Sequence, residues 1–164
     1  MLSHIYREKV IEALLAEGIP VQVYGDTWRK SPFYEQLNLI NSPEVSGAEG
    51  PREYDTARVA LNVMTWHKDG FTERLSNAML RGAVIATDES KYVNENFTDE
   101  GDMIIFSLSD FEKEGTPDFV NRIKDVLTNQ EKRVRIAEAG RKRALEEHTW
   151  DVRAKQLSEM IWGK

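Results

Sequence analysis

Asp69-Gly70-Phe71-Thr72-Glu73-Arg74-Leu75-Ser76-Asn77-Ala78-Met79-Leu80-Arg81-Gly82-Ala83-Val84-Ile85-Ala86-Thr87-Asp88 reads as a glycine loop, a helix and a buried strand in direct succession. Phe71, Leu75, Ala78 and Met79 recur at helical spacing, so they share the face that packs inward. Asp69 and Thr72 are short oxygen side chains able to cap free N–H groups, and Gly82 stands where a left-handed C-terminal residue is wanted. The first turn then offers bare N–H groups beside Gly70, whose missing side chain lets a ligand approach the backbone. Arg74 opposes the helix dipole in that turn. Either a carboxylate such as Glu73 compensates a solvated Arg74, or the guanidinium faces an anion. Helix start, glycine and arginine together favour a phosphate.

Outward from this stretch, apolar runs and helical patterns alternate. Ser3 can cap a first helix carrying Ile5, Val10, Ile11, Leu14 and Leu15, closed by Gly18 and Pro20. Val21–Tyr24 reads as a strand ending at Gly25, residues 26–36 as a loop and Leu37–Ile40 as a further short strand. A short helical piece at Glu53–Thr56 precedes a central strand over Val59–Met64. Ala83–Thr87 and Met103–Phe106 are two more strands. Thr116-Pro117-Asp118 predicts a helix start capped by Thr116, with Phe119, Ile123, Val126 and Leu127 facing inward. Helices over Glu131–Glu147 and Trp150–Trp162 follow, the second capped by Thr149, with Trp150, Ala154, Leu157 and Ile161 on one face.

This alternation predicts an α/β fold: a Rossmann-like parallel sheet with helices on both faces, plus C-terminal helices. Ligands of such sheets bind beyond the carboxyl ends of the strands. Gly25, the loop from Trp66 to Thr72 and Thr87-Asp88 all fall at those ends, so they should converge on one edge. The chain opens on a helix where a doubly wound domain commonly opens on a strand. That order predicts either a missing preceding segment or domain, or a natural half-sized unit.

Composition narrows the function classes. The 164 residues suit one domain with a real core, and 40% apolar content with four tryptophans excludes disorder. No run of apolar residues is long enough for a membrane span and no leader is visible. The absence of cysteine fits a reducing compartment, so a cytoplasmic location is expected. A net charge of −6 opposes nucleic-acid binding. The basic residues Lys132, Arg133, Arg135, Arg141, Lys142 and Arg143 alternate with Glu131, Glu138, Glu146 and Glu147, the pattern of a solvated helix. No Gly-x-Gly-x-x-Gly, P-loop or Gly-x-Ser-x-Gly motif occurs. The three histidines, His4, His67 and His148, lack metal-ligand spacing, so no metal is called for. His148, beside the Thr149 cap, reads as structural.

With these residues in place, the chain resembles the C-terminal, nucleotide-sugar-binding domain of GT-B glycosyltransferases, and within them the group 1 subfamily related to spore-maturation proteins. The marks are Tyr54-Asp55-Thr56-Ala57-Arg58-Val59-Ala60-Leu61-Asn62, Asp69-Gly70-Phe71, Arg74 and Gly82-Ala83-Val84-Ile85-Ala86-Thr87-Asp88. Ala137-Glu138-Ala139-Gly140 and His148-Thr149-Trp150 with Arg153 complete them. Retaining relatives carry two glutamates at a fixed spacing across the glycine loop, one near the transferred sugar and one on the ribose hydroxyls. Here Asp69 and Asn77 hold those positions, a shortened acid and a neutral amide.

The resemblance implies one half of a GT-B fold: residues 1–164 as a single donor-binding domain that lacks an upstream acceptor-binding domain. It implies transfer of a sugar from a nucleotide diphosphate sugar, with Asp69 as the catalytic candidate and no cofactor beyond that substrate. Gly25, Gly70, Phe71, Thr72, Arg74 and Asn77 would bind the donor, with the turn from Ile40 to Val45 facing the base. The isolated chain would be inactive. Two other readings stand beside it: a non-catalytic nucleotide- or partner-binding α/β module, and a structural domain whose site has decayed.

Overall fold

The computed structural model describes residues 2–64 and 66–163, with the side chains of Leu2, Ser3 and His4 outside the described set. The cap expected at Ser3 therefore lies outside it too. Among the described residues five short strands all pair in parallel. β1 (Val21–Tyr24) pairs with β2 (Leu39–Ser42), in register Val21 with Leu39. β3 (Val59–Asn62), β4 (Val84–Asp88) and β5 (Ile104–Phe106) form a second ladder in that order. Every residue of β4 is buried, as expected of a central strand covered on both faces.

Helices cover both faces of the three-stranded ladder. Val10 and Leu14 of α1 (Leu2–Ala16) join Phe119, Val120 and Ile123 of α4 (Asp118–Thr128) against Val84, Ala86, Ile104 and Phe106. On the other face, Leu75, Ala78 and Met79 of α2 (Glu73–Leu80) and Val93 of α3 (Lys91–Asn96) pack on Ala60, Ile85 and Met103. The adjacent pair Ile11 and Leu15 of α1 packs instead on Val23, Phe33 and Leu39 of the two-stranded ladder. One helix thus lies across both ladders, and half-buried Val21 and Leu61 belong to both clusters.

α5 (Gln130–Glu147) crosses the back of this arrangement, capped by Asn129, whose Oδ1 accepts the Lys132 N–H at 3.0 Å. It approaches at Gly140, where a Cβ would stand 2.6 Å from the Asp102 carbonyl oxygen. No larger residue fits without moving backbone. α6 (Trp150–Trp162) begins at Thr149, which caps through its hydroxyl as expected (Val152 N–H to Oγ1, 3.3 Å). The expected inner face of α6 is exposed instead, with Trp150 at 88%, Leu157 at 58% and Ile161 at 59%, and Trp162 beside it is 73% exposed. Trp66 is also 70% exposed, while Trp28 packs on the β1–β2 cluster. Ile5 of α1 is 43% exposed.

Several boundaries differ from expectation for identifiable reasons. The strand expected at 37–40 runs from Leu39 to Ser42, because Leu37 is fully exposed and Asn38 turns inward to donate to the Leu15 and Ile19 carbonyls. Thr116 does not cap α4; its hydroxyl donates to Glu17 at 2.8 Å, and Pro117 takes the cap position. Part of the loop over 26–36 is a 3-10 helix, Asp26–Lys30, and the helical piece near residue 53 is another, Gly50–Asp55. Sequence reading missed α3, which buries only Val93; its signal is Ser90, whose Oγ caps the Val93 N–H at 3.1 Å.

Candidate functional site

Because all strands run the same way, the loops after β3 and β4 leave one edge of their ladder, and the structure ties them together. Asp88, the last residue of β4, is fully buried. Its Oδ1 accepts the Met64 N–H just past β3, and its Oδ2 lies 3.2 Å from the Lys68 Nζ. Ser90 Oγ donates to the Gly70 carbonyl at 2.7 Å, and the Lys91 N–H donates to the Lys68 carbonyl at 2.7 Å. The β4–α3 junction therefore fixes the glycine loop at three successive points. Sequence reading placed Asp88 at this edge but gave it no partner, since Lys68 and Met64 reach it only in the fold.

Phe71 anchors the far end of the loop. Its ring stacks on His148 at 4.5 Å between centroids and on Phe97 at 5.6 Å, with Tyr92 tilted against it at 5.6 Å. Arg143 lies over Phe97, and Arg153 contacts both His148 Nδ1 (2.9 Å) and Tyr92 Oη (3.3 Å). Arginine can only donate, so Nδ1 accepts and the neutral ring carries its proton on Nε2. Burial, then the charge of Arg153, hold the His148 pKa below its ordinary 6.5. The Phe71 ring is thus taken up by this stack.

α2 begins at Glu73, with Thr72 in the cap position and making no side-chain cap hydrogen bond. The Thr72 Oγ1 is buried without a partner. The N–H groups of the first turn are thus uncapped by any side chain, and Asp69 does not supply the cap expected of it; it is exposed in the turn closed by the Gly70 N–H on the His67 carbonyl. Gly70 has no positive φ, and a Cβ there would meet His67 in ordinary contact at 3.6 Å. Its own backbone conformation therefore does not require a glycine. Arg74 is exposed and makes no ion pair among the described residues. Asn77 is half-buried on the same helix. Gly82 takes the left-handed conformation expected (φ 84°), and the Ala83 N–H closes the helix end on the Ala78 carbonyl.

Gly70, Phe71, Thr72, Arg74 and Asn77 are therefore together in one loop and helix, while Gly25 follows β1 in the other ladder. Gly25 has φ 100° and donates to the Ser42 carbonyl, so a side chain there would be strained. The 3-10 helix Gly50–Asp55 bridges the two parts. Tyr24 Oη donates to Glu53 Oε2 at 2.6 Å, and Asp55 takes Arg81 of α2's end at 3.0 Å. Burial, then the Glu53 carboxylate, push the Tyr24 phenol up to about 12. Burial also raises the Tyr54 phenol, which the nearby Arg74 charge lowers in turn. Asn41, in the segment expected to face a base, has a buried Oδ1 without a partner. Two surface hollows lie elsewhere, one along α5 and one between α1 and residues 111–117. Among the described residues no helix is long and apolar enough to cross a membrane.

Residues 7–159 match the profile of a family described as "Glycosyl transferase-like". No curated protein matches the sequence. Among solved structures, Alr3699/HepE of Anabaena in complex with UDP and glucose superposes with a TM-score of 0.73 at 14% identity, over 98% of this chain and 44% of that one. Sucrose-phosphate synthase of Thermosynechococcus elongatus gives 0.71 at 16%, over 94% and 42%. The C-terminal domain of a glycosyl transferase group 1 family protein (LpcC) of Francisella tularensis gives 0.55 at 14%, over 71% and 56%. The chain spans between 42% and 56% of these three proteins' chains. At such identities the likeness establishes the α/β fold.

Proposed function

The chain belongs to the Glycosyl transferase-like family, and from that premise we propose that it is the donor-binding half of a two-domain GT-B glycosyltransferase. The observation that carries the reading is the rigidly held glycine loop, which runs into an uncapped helix start carrying an unpaired arginine. In this reading the loop from Gly70 to Thr72 binds the diphosphate, through the N–H groups of Phe71 and Thr72, and the Arg74 guanidinium lies beside it. Helix dipole and arginine stabilise the leaving diphosphate without a metal. Asn77 hydrogen-bonds a ribose hydroxyl, Gly25 gives close approach at the end of β1, and residues 41–45 meet the base. That HepE was solved with UDP and glucose supports a nucleotide-sugar donor of this kind.

Transfer requires an acceptor held opposite the donor, so an acceptor-binding domain is part of the proposal. Residues 1–164 alone should show no transfer, and joining such a domain upstream should bring turnover that Asp69→Asn lowers. Titration with UDP, GDP, ADP and TDP, followed by amide NMR, tests the donor site. Shifts should gather at residues 66–77 and 41–46; no response to any of the four at millimolar concentration overturns the reading. One observation favours a non-catalytic nucleotide-binding module instead: the only acid at the catalytic position, Asp69, is exposed and unpartnered. Binding of a diphosphate, with no turnover after an acceptor domain is restored, is the outcome that module predicts.

A further inference from the structure

The motif His148-Thr149-Trp150 with Arg153 lies outside the donor site, yet the fold brings two of its residues to the glycine loop. Phe71, Phe97 and His148 come from three parts of the chain, and their rings lie nearly parallel, 4°, 19° and 20° between planes. The His148 side chain is buried, and among the described residues its ring takes one hydrogen bond, from Arg153 Nη2 to Nδ1 at 2.9 Å. Nε2 has no partner; the Glu147 carboxylate stands 3.9 Å away. The same Nη2 reaches Tyr92 Oη at 3.3 Å, and Nη1 donates to Gln156 at 2.9 Å. One guanidinium thus ties together the two polar rings that touch Phe71. Arg153 is itself exposed, on a helix that buries no residue.

We propose that Arg153 and His148 are positioning residues of the glycine loop: the guanidinium holds the imidazole with Nδ1 as acceptor, the imidazole holds the Phe71 ring, and the ring holds the backbone from Gly70 to Thr72. This chain of contacts has two arrangements, because Nδ1 cannot carry a proton and accept one from Arg153 at the same time. A proton on Nδ1 detaches the guanidinium, and one ring of a close-packed set cannot turn without moving the others. The groups facing the imidazole decide which arrangement is held. They are Arg153 from α6, Arg143 and Glu147 from α5 and the Tyr92 hydroxyl from α3, while the loop meets it with Phe71. Arg143 is in turn paired with Asp102 and Glu147. Two cations against one carboxylate favour the neutral ring, and with it the held loop. This positioning deepens the donor-site reading, on which its bearing on transfer rests, and it is tested without ligand, so either can fail alone.

A pH titration of the chain by NMR tests it, following the His148 ring carbons together with the amides of Gly70, Phe71 and Thr72. His67→Asn, at an exposed side chain, takes the loop's own histidine out of the curve. In that background the three loop amides should shift with the midpoint of the His148 ring. Arg153→Met should raise both midpoints together by about 1 pH unit, because it removes a cation beside the ring. Arg153→Lys, which keeps a donor and the charge, should restore most of that difference. His148→Phe, which keeps a ring in the stack, should abolish the shared transition in the loop amides. Loop amides that do not follow the His148 ring before Arg153 is changed overturn the proposal on their own. So does an Arg153→Met chain in which the His148 midpoint stays where it was, or moves while the loop amides do not.

Discussion

The Phe71 ring lies almost flat on the His148 imidazole, 4.5 Å between centroids and 19° between planes, and so joins the glycine loop to the junction of α5 and α6. The stack keeps His148 buried beside two arginines, Arg143 and Arg153, with Glu147 as the opposing charge. Protonation there places a cation among cations.

The pH dependence follows with a definite sign. The folded state lowers the His148 pKa, so the unfolded chain binds this proton more readily. The histidine's contribution is complete above its ordinary value of 6.5 and is lost as pH falls below it toward the folded-state value. Urea unfolding between pH 8 and pH 5 should therefore show stability falling on the acid side. His148→Phe, which keeps a ring in the stack, should flatten that part of the profile. An unchanged slope in the variant would show that other groups carry it.

Asp88→Ala should destabilise the domain by about 1–3 kcal/mol, because the buried Met64 N–H loses its acceptor. Most of the loss should appear as faster exchange across residues 64–70, read by amide NMR. Lys68→Met should cost far less, since the lysine is half-exposed and its ion pair is only partly buried.

Gly140→Ala tests the close approach of α5. Alanine usually stabilises a helix interior, but here its Cβ would meet the Asp102 carbonyl at 2.6 Å. The expected result is a loss of about 1–3 kcal/mol by thermal or urea unfolding, as for overpacking. A gain in stability would mean that the turn at residues 98–102 gives way freely.

Arg74→Ala should leave the unfolding midpoint unchanged, as expected for an exposed unpaired side chain. It should weaken nucleoside-diphosphate binding by about 1.5–3 kcal/mol, the range for a charged hydrogen bond. Calorimetric titration of the variant beside the parent separates the two effects.

Much of this fold is legible because its signals are local. β4 is an apolar run buried on both faces, and α6 runs from the expected Trp150, behind its Thr149 cap, to the expected Trp162. The glycine at position 82 and the structural role of His148 follow from their neighbours in sequence. What escaped is held by distant partners. Thr116 looks like a cap but bonds Glu17, and Asn38 turns from a strand position to reach the carbonyls that end α1. Phe71 sits where a ligand contact was expected because three other rings, from α3, its far end and the α5–α6 junction, fold onto it. The inner face expected of α6 has helical spacing, but the described chain puts little against it.

The placement of the tryptophans decides what light can report about this protein. Trp66, Trp150 and Trp162 already stand in water in the folded state. Their emission should resemble that of the unfolded chain and change little on melting. Trp28 alone packs on a core cluster, the one shared by α1, β1 and β2. A fluorescence melt therefore follows the two-stranded half, while far-ultraviolet dichroism follows the helices of the whole domain. Where the two curves separate, the halves on either side of β1 and β3 are unfolding independently; where they coincide, α1 couples them into one transition.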